Sequence, residues 1–397
     1  MRPKARNCSV RVLVAACRAG KSATTRSAEG RAMRIAKIIF FITTFVFAAH
    51  AADAKPFTHL WVFGDSTVDT GWYKVPKKNS DPPTYSGNSN FDAWLAPIPP
   101  DTQTGAQKWN IGKPTVNPKR ISVQELAHIL GVGARPHNQK NQANVPGTNY
   151  ATSGARNKEV NAAGSGRFPN AIPTRTQIEH YLASYTPNGK ALYVISSGGN
   201  DVQAALDANN AVCTDSAQSD SQTAANELAN KINALQGQNA KYIIVANQPE
   251  SFGGTDKEKC RGVYDTALKS KLDALGVSYA WGDVNSVRTM MEQHPTTFGL
   301  NPLYLGTGAP SCSPPASSTG IGSDWAFLCS PASPVSTPSN TDTSEFADNN
   351  HWAPTPQKVL GSYYYCLAKQ TWPDVFTASP APNQPFTACS TFDPSWN

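Results

Sequence analysis

Leu60-Trp61-Val62-Phe63-Gly64-Asp65-Ser66-Thr67-Val68-Asp69-Thr70-Gly71 is the stretch on which the reading of this chain turns. Leu60 to Phe63 is an apolar run that reads as a buried strand. It breaks at Gly64, a residue free to take backbone angles closed to others. Asp65 and Ser66 then fall at the carboxyl end of the strand. In open α/β sheets that edge is where ligands bind. A hydroxyl placed there is a candidate nucleophile, provided a base can reach it.

Similar punctuation recurs along the chain. Ala191 to Ile195 is a second apolar strand, broken at Ser196-Ser197-Gly198-Gly199-Asn200-Asp201. Tyr242 to Ala246 is a third, ending at Asn247-Gln248-Pro249, and Ser278 to Trp281 makes a short fourth. Between them lie helical patterns: Ser122 to Leu130, opened by a capping box of Ser122 and Glu125, then Ile178 to Tyr185, Ala224 to Leu235 and Lys257 to Leu275. A last helix covers Pro356 to Gln370. Strands alternating with helices predict an α/β protein with a parallel sheet covered on both faces. Asn149 to Ala155 reads as a strand-to-loop passage. Residues 72–119, rich in Pro, Asn, Gly and aromatics such as Trp72, Tyr85 and Trp94, read as an insertion near the strand edge. Residues 302–345 read as irregular.

The 397 residues carry a formal charge of +7, but the excess is local. Residues 1–51 hold ten Lys and Arg side chains against the single acid Glu29, and the remainder is slightly acidic. That balance excludes a nucleic-acid surface. Met33-Arg34-Ile35-Ala36-Lys37, the apolar run Ile38 to Phe47 and the small-x-small Ala49-His50-Ala51 form a signal-peptide pattern over 33–51. The apolar run is too short to span a bilayer. Residues 1–32 are then an upstream extension without a fold of their own, and 52–397 a single domain.

Six cysteines follow the cleavage site, and in an exported protein they read as disulfides. Pairing each with its nearest neighbour gives Cys213–Cys260, Cys312–Cys329 and Cys366–Cys389. No CxxC pair or HExxH motif supports a metal site. No cofactor is expected, and nothing in the sequence sets an oligomeric state.

Acyl transfer needs a nucleophile, a base, a group that orients the base, and donors for the oxyanion. Ser66 is the candidate nucleophile and His351 the base, with Asp348 three residues earlier to hold the imidazole. The backbone N–H groups of Ser66 and Gly154 and the side-chain amide of Asn200 are candidate oxyanion donors. Each piece alone is an ordinary turn or cap; the ordered set is specific.

That set resembles the GDSL or SGNH hydrolase family. Its first block is similar to Phe63 to Gly71, its second to Asn149 to Ala155, its third to Gly198-Gly199-Asn200-Asp201 and its last to Asp348 with His351. Arg120 to Ala127 resembles the stretch that follows the first block. The resemblance implies a three-layer α/β/α flavodoxin-like fold and places the oxyanion glycine on Gly154. It also implies a secreted ester hydrolase working through an acyl-enzyme, on lipid-like acyl esters, with transient contact with lipid surfaces. Trp352 stands where many lipolytic members carry Pro, and Pro354 follows two further on. The loop between Cys312 and Cys329 is similar to that of secreted bacterial phospholipases able to transfer acyl groups. Three alternatives stay open: a carbohydrate O-acetyl esterase, an acyltransferase using the same acyl-enzyme, and a non-catalytic secreted binding module.

Overall fold

Four parallel strands form the sheet: β1 (Leu60–Gly64), β2 (Leu192–Ser196), β3 (Tyr242–Ala246) and β4 (Ala280–Gly282), paired in the order β1-β2-β3-β4. A computed structural model describes residues 55–72, 112–138, 145–159, 171–248, 254–306, 310–312, 325–327, 329, 340–376 and 382–392. The expected signal peptide, the extension before it, most of the 72–119 insertion and much of 302–345 lie outside the described residues.

The strands are apolar throughout because both faces are covered. Successive side chains of a strand point to opposite faces. Leu60, Val62, Leu192, Val194, Ile244 and Ala246 therefore share one core cluster, and Trp61, Phe63, Tyr193, Ile195, Ile243 and Val245 the other. The helices are α1 (Ser122–Leu130), α2 (Thr174–Ser184), α3 (Gly199–Asp207), α4 (Asp215–Gly237), α5 (Gly254–Ala274), α6 (Val284–Gln293), α7 (Pro354–Thr371) and a single turn, α8 (Pro373–Phe376). Side chains of α1, α6 and α7 complete the first cluster, and those of α2 to α5 the second. The result is the expected three-layer α/β/α arrangement.

Beyond β1 the sheet edge is continued by single bridges. Asn149 pairs in parallel with Val62, and Pro136 with Asn149. Val62 N–H donates to the Thr148 carbonyl (3.1 Å), Tyr150 N–H to Val62 (2.9 Å) and Thr152 N–H to Gly64 (3.0 Å). Residues 148–152 thus run alongside β1 to its carboxyl end.

Local details depart from the sequence reading. Ser122 is the first helical residue of α1, not its cap. The reciprocal bond comes from Gln124, whose Oε1 accepts Ile121 N–H (3.3 Å), while Glu125 pairs with Arg120 (3.2 Å). Helix α4 starts well before its apolar stripe because Thr214 caps it, accepting Ala217 N–H (3.2 Å). Two further helices, α3 and α6, carry no clear sequence pattern; α6 is capped by Asp283 and buries Val284, Val287, Met290 and Met291.

All three nearest-neighbour disulfides form. Cys213–Cys260 joins the start of α4 to α5, and Cys366–Cys389 ties α7 to the tail. Such usage belongs to an extracellular or periplasmic protein. Among the described residues no helix is long and apolar enough to cross a membrane.

Candidate active site

The turn after β1 is built by close backbone approach. Gly64 sits at φ 146°, and a Cβ there would lie 1.8 Å from the Ser196 carbonyl oxygen. The approach lets Asp65 N–H donate to that same oxygen (3.1 Å). Gln177 of α2 clamps the glycine from the other side: its Oε1 accepts Gly64 N–H and its Nε2 donates to the Gly64 carbonyl, both at 2.9 Å. Ser66 follows, half-buried at the carboxyl end of the strand. The Asp65 side chain folds inward, its Oδ1 accepting from Thr67 N–H (3.0 Å) and the Thr67 hydroxyl (2.8 Å). Burial pushes its carboxyl up to about 6, against the opposing pull of the Thr67 donors and the His351 charge.

Asp69 joins this turn to the next. Its Oδ1 accepts Gly71 and Trp72 N–H (2.8 and 2.7 Å), and its Oδ2 accepts the Ser153 N–H (2.9 Å) and hydroxyl (2.5 Å). Asn149 adds a bond from its Nδ2 to the Val68 carbonyl (2.7 Å). Gly154 follows at φ 80°, a left-handed conformation that suits glycine. Asn200 lies in the first turn of α3, and its Nδ2 donates to the Ala155 carbonyl (3.0 Å). That bond brings Asn200 beside the Gly154 turn and occupies one of its two amide protons. The helix can start there because Gly198, at φ 126°, leaves room for the Tyr264 ring; a Cβ would stand 2.2 Å from it. Asp201 is buried against Arg156 (3.6 Å) and Asn157 N–H (2.9 Å), and burial pushes its carboxyl up to about 7.

Asp348 and His351 come together on the loop before α7. His351 Nδ1 lies 2.9 Å from Asp348 Oδ2 and 3.2 Å from Oδ1. Asp348 is fully buried and is fixed by three backbone donors: His351 N–H (2.6 Å), Asn350 N–H (2.8 Å) and Ala326 N–H (3.0 Å). A carboxylate facing Nδ1 assigns the proton there and leaves Nε2 as the acceptor. The Phe327 ring meets the imidazole edge to face, with centroids 5.4 Å apart. The loop is closed by a bridge between Phe346 and Trp352, and by Ala347 N–H donating to the His351 carbonyl (2.7 Å). Trp352 is buried and its carbonyl accepts from the Thr115 hydroxyl (3.0 Å). Pro354 opens α7, where a missing N–H costs nothing. Ser66, Gly154 and Asn200 therefore share the carboxyl edge of the sheet, and His351 lies within electrostatic reach of Asp65, the neighbour of Ser66.

Sequence reasoning missed the residues that hold these pieces. Asn117 is the largest omission. It is fully buried, and its amide nitrogen lies within 3.2 Å of the carbonyls of Lys113, Thr115, Ala326 and Cys329. Its own N–H donates to the Cys329 carbonyl (2.7 Å), and Gly112 N–H to Phe327 (2.7 Å). Segment 112–119 thereby supports Ala326, Phe327 and Cys329, and Ala326 N–H in turn caps Asp348. The dipeptide Asn117-Pro118 signals a turn and nothing more. Gln177, Asp69 and Ser153 were missed for the same reason: their partners are distant in sequence. Among the described residues no group of His, Cys, Asp or Glu is disposed to hold a metal ion.

No curated protein matches the chain. Residues 60–280, more than half of it, match the family model described as GDSL-like Lipase/Acylhydrolase. The matched span contains Ser66, Gly154 and Asn200 and stops before Asp348 and His351, which only the fold returns to the same edge. The chain belongs to the GDSL-like lipase/acylhydrolase family.

Proposed function

We propose that this family member, an ester hydrolase in general terms, is a secreted serine carboxylic ester hydrolase acting on lipid-like acyl esters. Ser66 Oγ attacks the ester carbonyl while His351 Nε2 takes its proton, and Asp348 keeps the imidazole oriented through Nδ1. The N–H groups of Ser66 and Gly154 and the remaining amide proton of Asn200 receive the developing oxyanion. His351 then returns the proton to the leaving alcohol, and water repeats the sequence on the acyl-enzyme. Loss of one oxyanion donor typically costs about 10²–10³ in rate. Asp65 shapes the nucleophile turn and takes no part in proton transfer.

The observation that carries this reading is the Asp348–His351 pair, with Nδ1 2.9 Å from the carboxylate, on a loop whose histidine lies within electrostatic reach of Asp65 beside Ser66. The aromatic-rich sequence of 72–119 favours an apolar acyl chain over acetyl. Residues 33–51, as a signal peptide, and the three disulfides support export, with 52–397 as the catalytic domain. Purified Ser66→Ala is expected to lose at least about 10³-fold in p-nitrophenyl ester hydrolysis. Wild-type activity in that variant would overturn the mechanism. A series of esters of increasing chain length tests the substrate, and a sharp preference for acetyl would replace the lipid reading by an O-acetyl esterase.

A further inference from the structure

Tyr264 on α5 takes no part in the hydrolytic scheme, yet it joins two of the loops that scheme uses. Its side chain is fully buried, and its ring fills the space that Gly198 leaves open. Its hydroxyl donates to the Ser197 carbonyl (2.8 Å), just before the turn into α3. The same oxygen accepts from Asn157 Nδ2 (2.8 Å), on the stretch that follows Gly154. Asn157 is buried as well, and its second amide proton goes to the Ala224 carbonyl of α4 (2.9 Å). Its backbone N–H donates to Asp201 in the first turn of α3 (2.9 Å).

The stretch after Gly154 and the start of α3 are therefore tied three times. Asn200 Nδ2 donates to the Ala155 carbonyl (3.0 Å), Asn157 N–H donates to Asp201, and the Asn157 amide reaches Ser197 through the Tyr264 hydroxyl. Every proton of the third tie has its own acceptor, so its direction is fixed. The Ser197 carbonyl takes the phenolic proton, and the phenolic oxygen is left to accept from the amide. Burial holds the Tyr264 phenol well above its ordinary range, so it stays a protonated donor. Asn157 Oδ1 is buried with no hydrogen-bond partner among the described residues. An unpaired buried amide oxygen is costly, and the side chain keeps its nitrogen on Tyr264 and Ala224 despite that cost.

We infer that Tyr264 and Asn157 are positioning residues that set the gap between the Gly154 N–H and the Asn200 amide. The inference rests on the esterase reading above, in which those two groups receive the oxyanion. Neither side chain is assigned a contact with the ester; both act through the loops they join. Oxyanion donors work at about 2.7–3.1 Å from the developing charge. A misplacement of about 1 Å can cost about 10²-fold in rate. The ring and the hydroxyl of Tyr264 have separate duties: the ring packs beside Gly198, and only the hydroxyl bridges the loops. Two ties remain when that hydroxyl is removed, so its loss is expected to cost less than loss of a donor itself.

The test is Tyr264→Phe, which keeps the ring and removes the bridge. In the folded variant kcat for a p-nitrophenyl ester is expected to fall about tenfold, with KM within about twofold, because the oxyanion forms only beyond the ground state. Combined with Asn200→Ala, the change should add less than about twofold, since the gap it sets has lost one side. Tyr193→Phe is the control. It removes an equally buried hydroxyl, bonded to the Asn188 N–H ahead of β2, and should lower stability while leaving kcat unchanged. If Tyr264→Phe fails to fold, Asn157→Ala takes its place with the same expectations, because it keeps the backbone bond to Asp201 and the Tyr264 bond to Ser197. Unchanged kcat, a rise in KM alone, or full additivity with Asn200→Ala overturns the inference. Ser66→Ala tells the two failures apart. Hydrolysis that persists in Ser66→Ala removes the esterase reading and the inference with it, whereas hydrolysis lost there but unchanged in Tyr264→Phe removes the inference alone.

Discussion

The Ser66 turn and the His351 loop meet at one edge of the sheet, yet they are made by different means. The turn grows out of regular structure: β1 feeds it, Ser196 on the neighbouring strand accepts its first N–H, and Gln177 on a packed helix clamps Gly64. The loop has no such frame. Residues 345–353 form no strand, only the Phe346–Trp352 bridge and a few scattered backbone bonds such as Ala353 N–H to the Glu345 carbonyl (2.9 Å), and the loop is further shaped by a buried carboxylate, a buried amide and the Cys312–Cys329 cross-link beneath it. A sheet positions a side chain through many shared backbone bonds, whereas an irregular loop needs dedicated side chains and covalent links. The family match follows the same division, ending before the loop begins.

The largest expected effect unites the two regions. His351→Ala and Ser66→Ala should each lower kcat by at least about 10³-fold, and the double variant should be no worse than either, because the proposed mechanism makes the pair one unit. Additive losses, measured on a p-nitrophenyl ester, would mean that the loop and the turn do not cooperate. Next in size is Gly64→Ala. With its Cβ 1.8 Å from Ser196 O and φ at 146°, the turn must move, and a loss of more than about 3 kcal/mol is expected in denaturant unfolding. Ala at Gly237, where nothing lies within 4 Å, is the control that should not destabilise.

The cross-links separate stability from activity. Removing Cys312–Cys329 by paired Cys→Ser changes, or Cys213–Cys260 likewise, should each cost roughly 3–4 kcal/mol by loop-closure entropy. Only the first should also depress kcat of the folded protein, by about 10–100-fold, since Ala326 and Phe327 would drift from Asp348 and His351. Asn117→Ala should do the same with both disulfides intact. Unchanged kcat in both loop variants would remove the distinction between the two regions.

The smallest effect concerns pH. Burial raises the Asp65 carboxyl from its ordinary 3.8 to about 6, so the folded state holds this proton more tightly than the unfolded one. The resulting stabilisation is complete below about pH 3.8 and is lost as pH rises through about 6. Asp65→Asn does not titrate. Relative to wild type, its melting temperature should therefore rise between pH 4 and pH 7, a difference of about 3 kcal/mol over the window. A pH-independent difference would show that Asp65 is not buried as a neutral acid.

What could be read from sequence follows the same line between regular and irregular structure. Tyr242 to Ala246 and Ser122 to Leu130 are local patterns with edges set by turn residues, and both elements appear within those bounds. Helix α3 was hidden because Gly198-Gly199-Asn200-Asp201 reads as a break, although it is also a helix start once Tyr264 fills the space beside Gly198. Helix α6 carries its stripe on Val284, Val287, Met290 and Met291, too brief a pattern to stand out beside β4. The candidate site could be read as four short polar blocks spaced along the chain. Its supports could not, because Asn117 to Ala326, Asp69 to Ser153 and Gln177 to Gly64 are contacts that no local periodicity encodes.

The three cross-links are consecutive: each of the six described cysteines is bonded to its neighbour along the chain, and no bridge among them encloses or overlaps another. For a chain oxidised as it emerges from its amino end, order of appearance and order of bonding coincide. Cys260 arrives when Cys213 is the one thiol waiting in the domain, so a bond closed before Cys312 is exposed has a single partner to choose. Native pairing then needs no exchange between wrong partners, a process limited by thiolate attack on a mismatched bridge. The connectivity is a timetable as well as a staple.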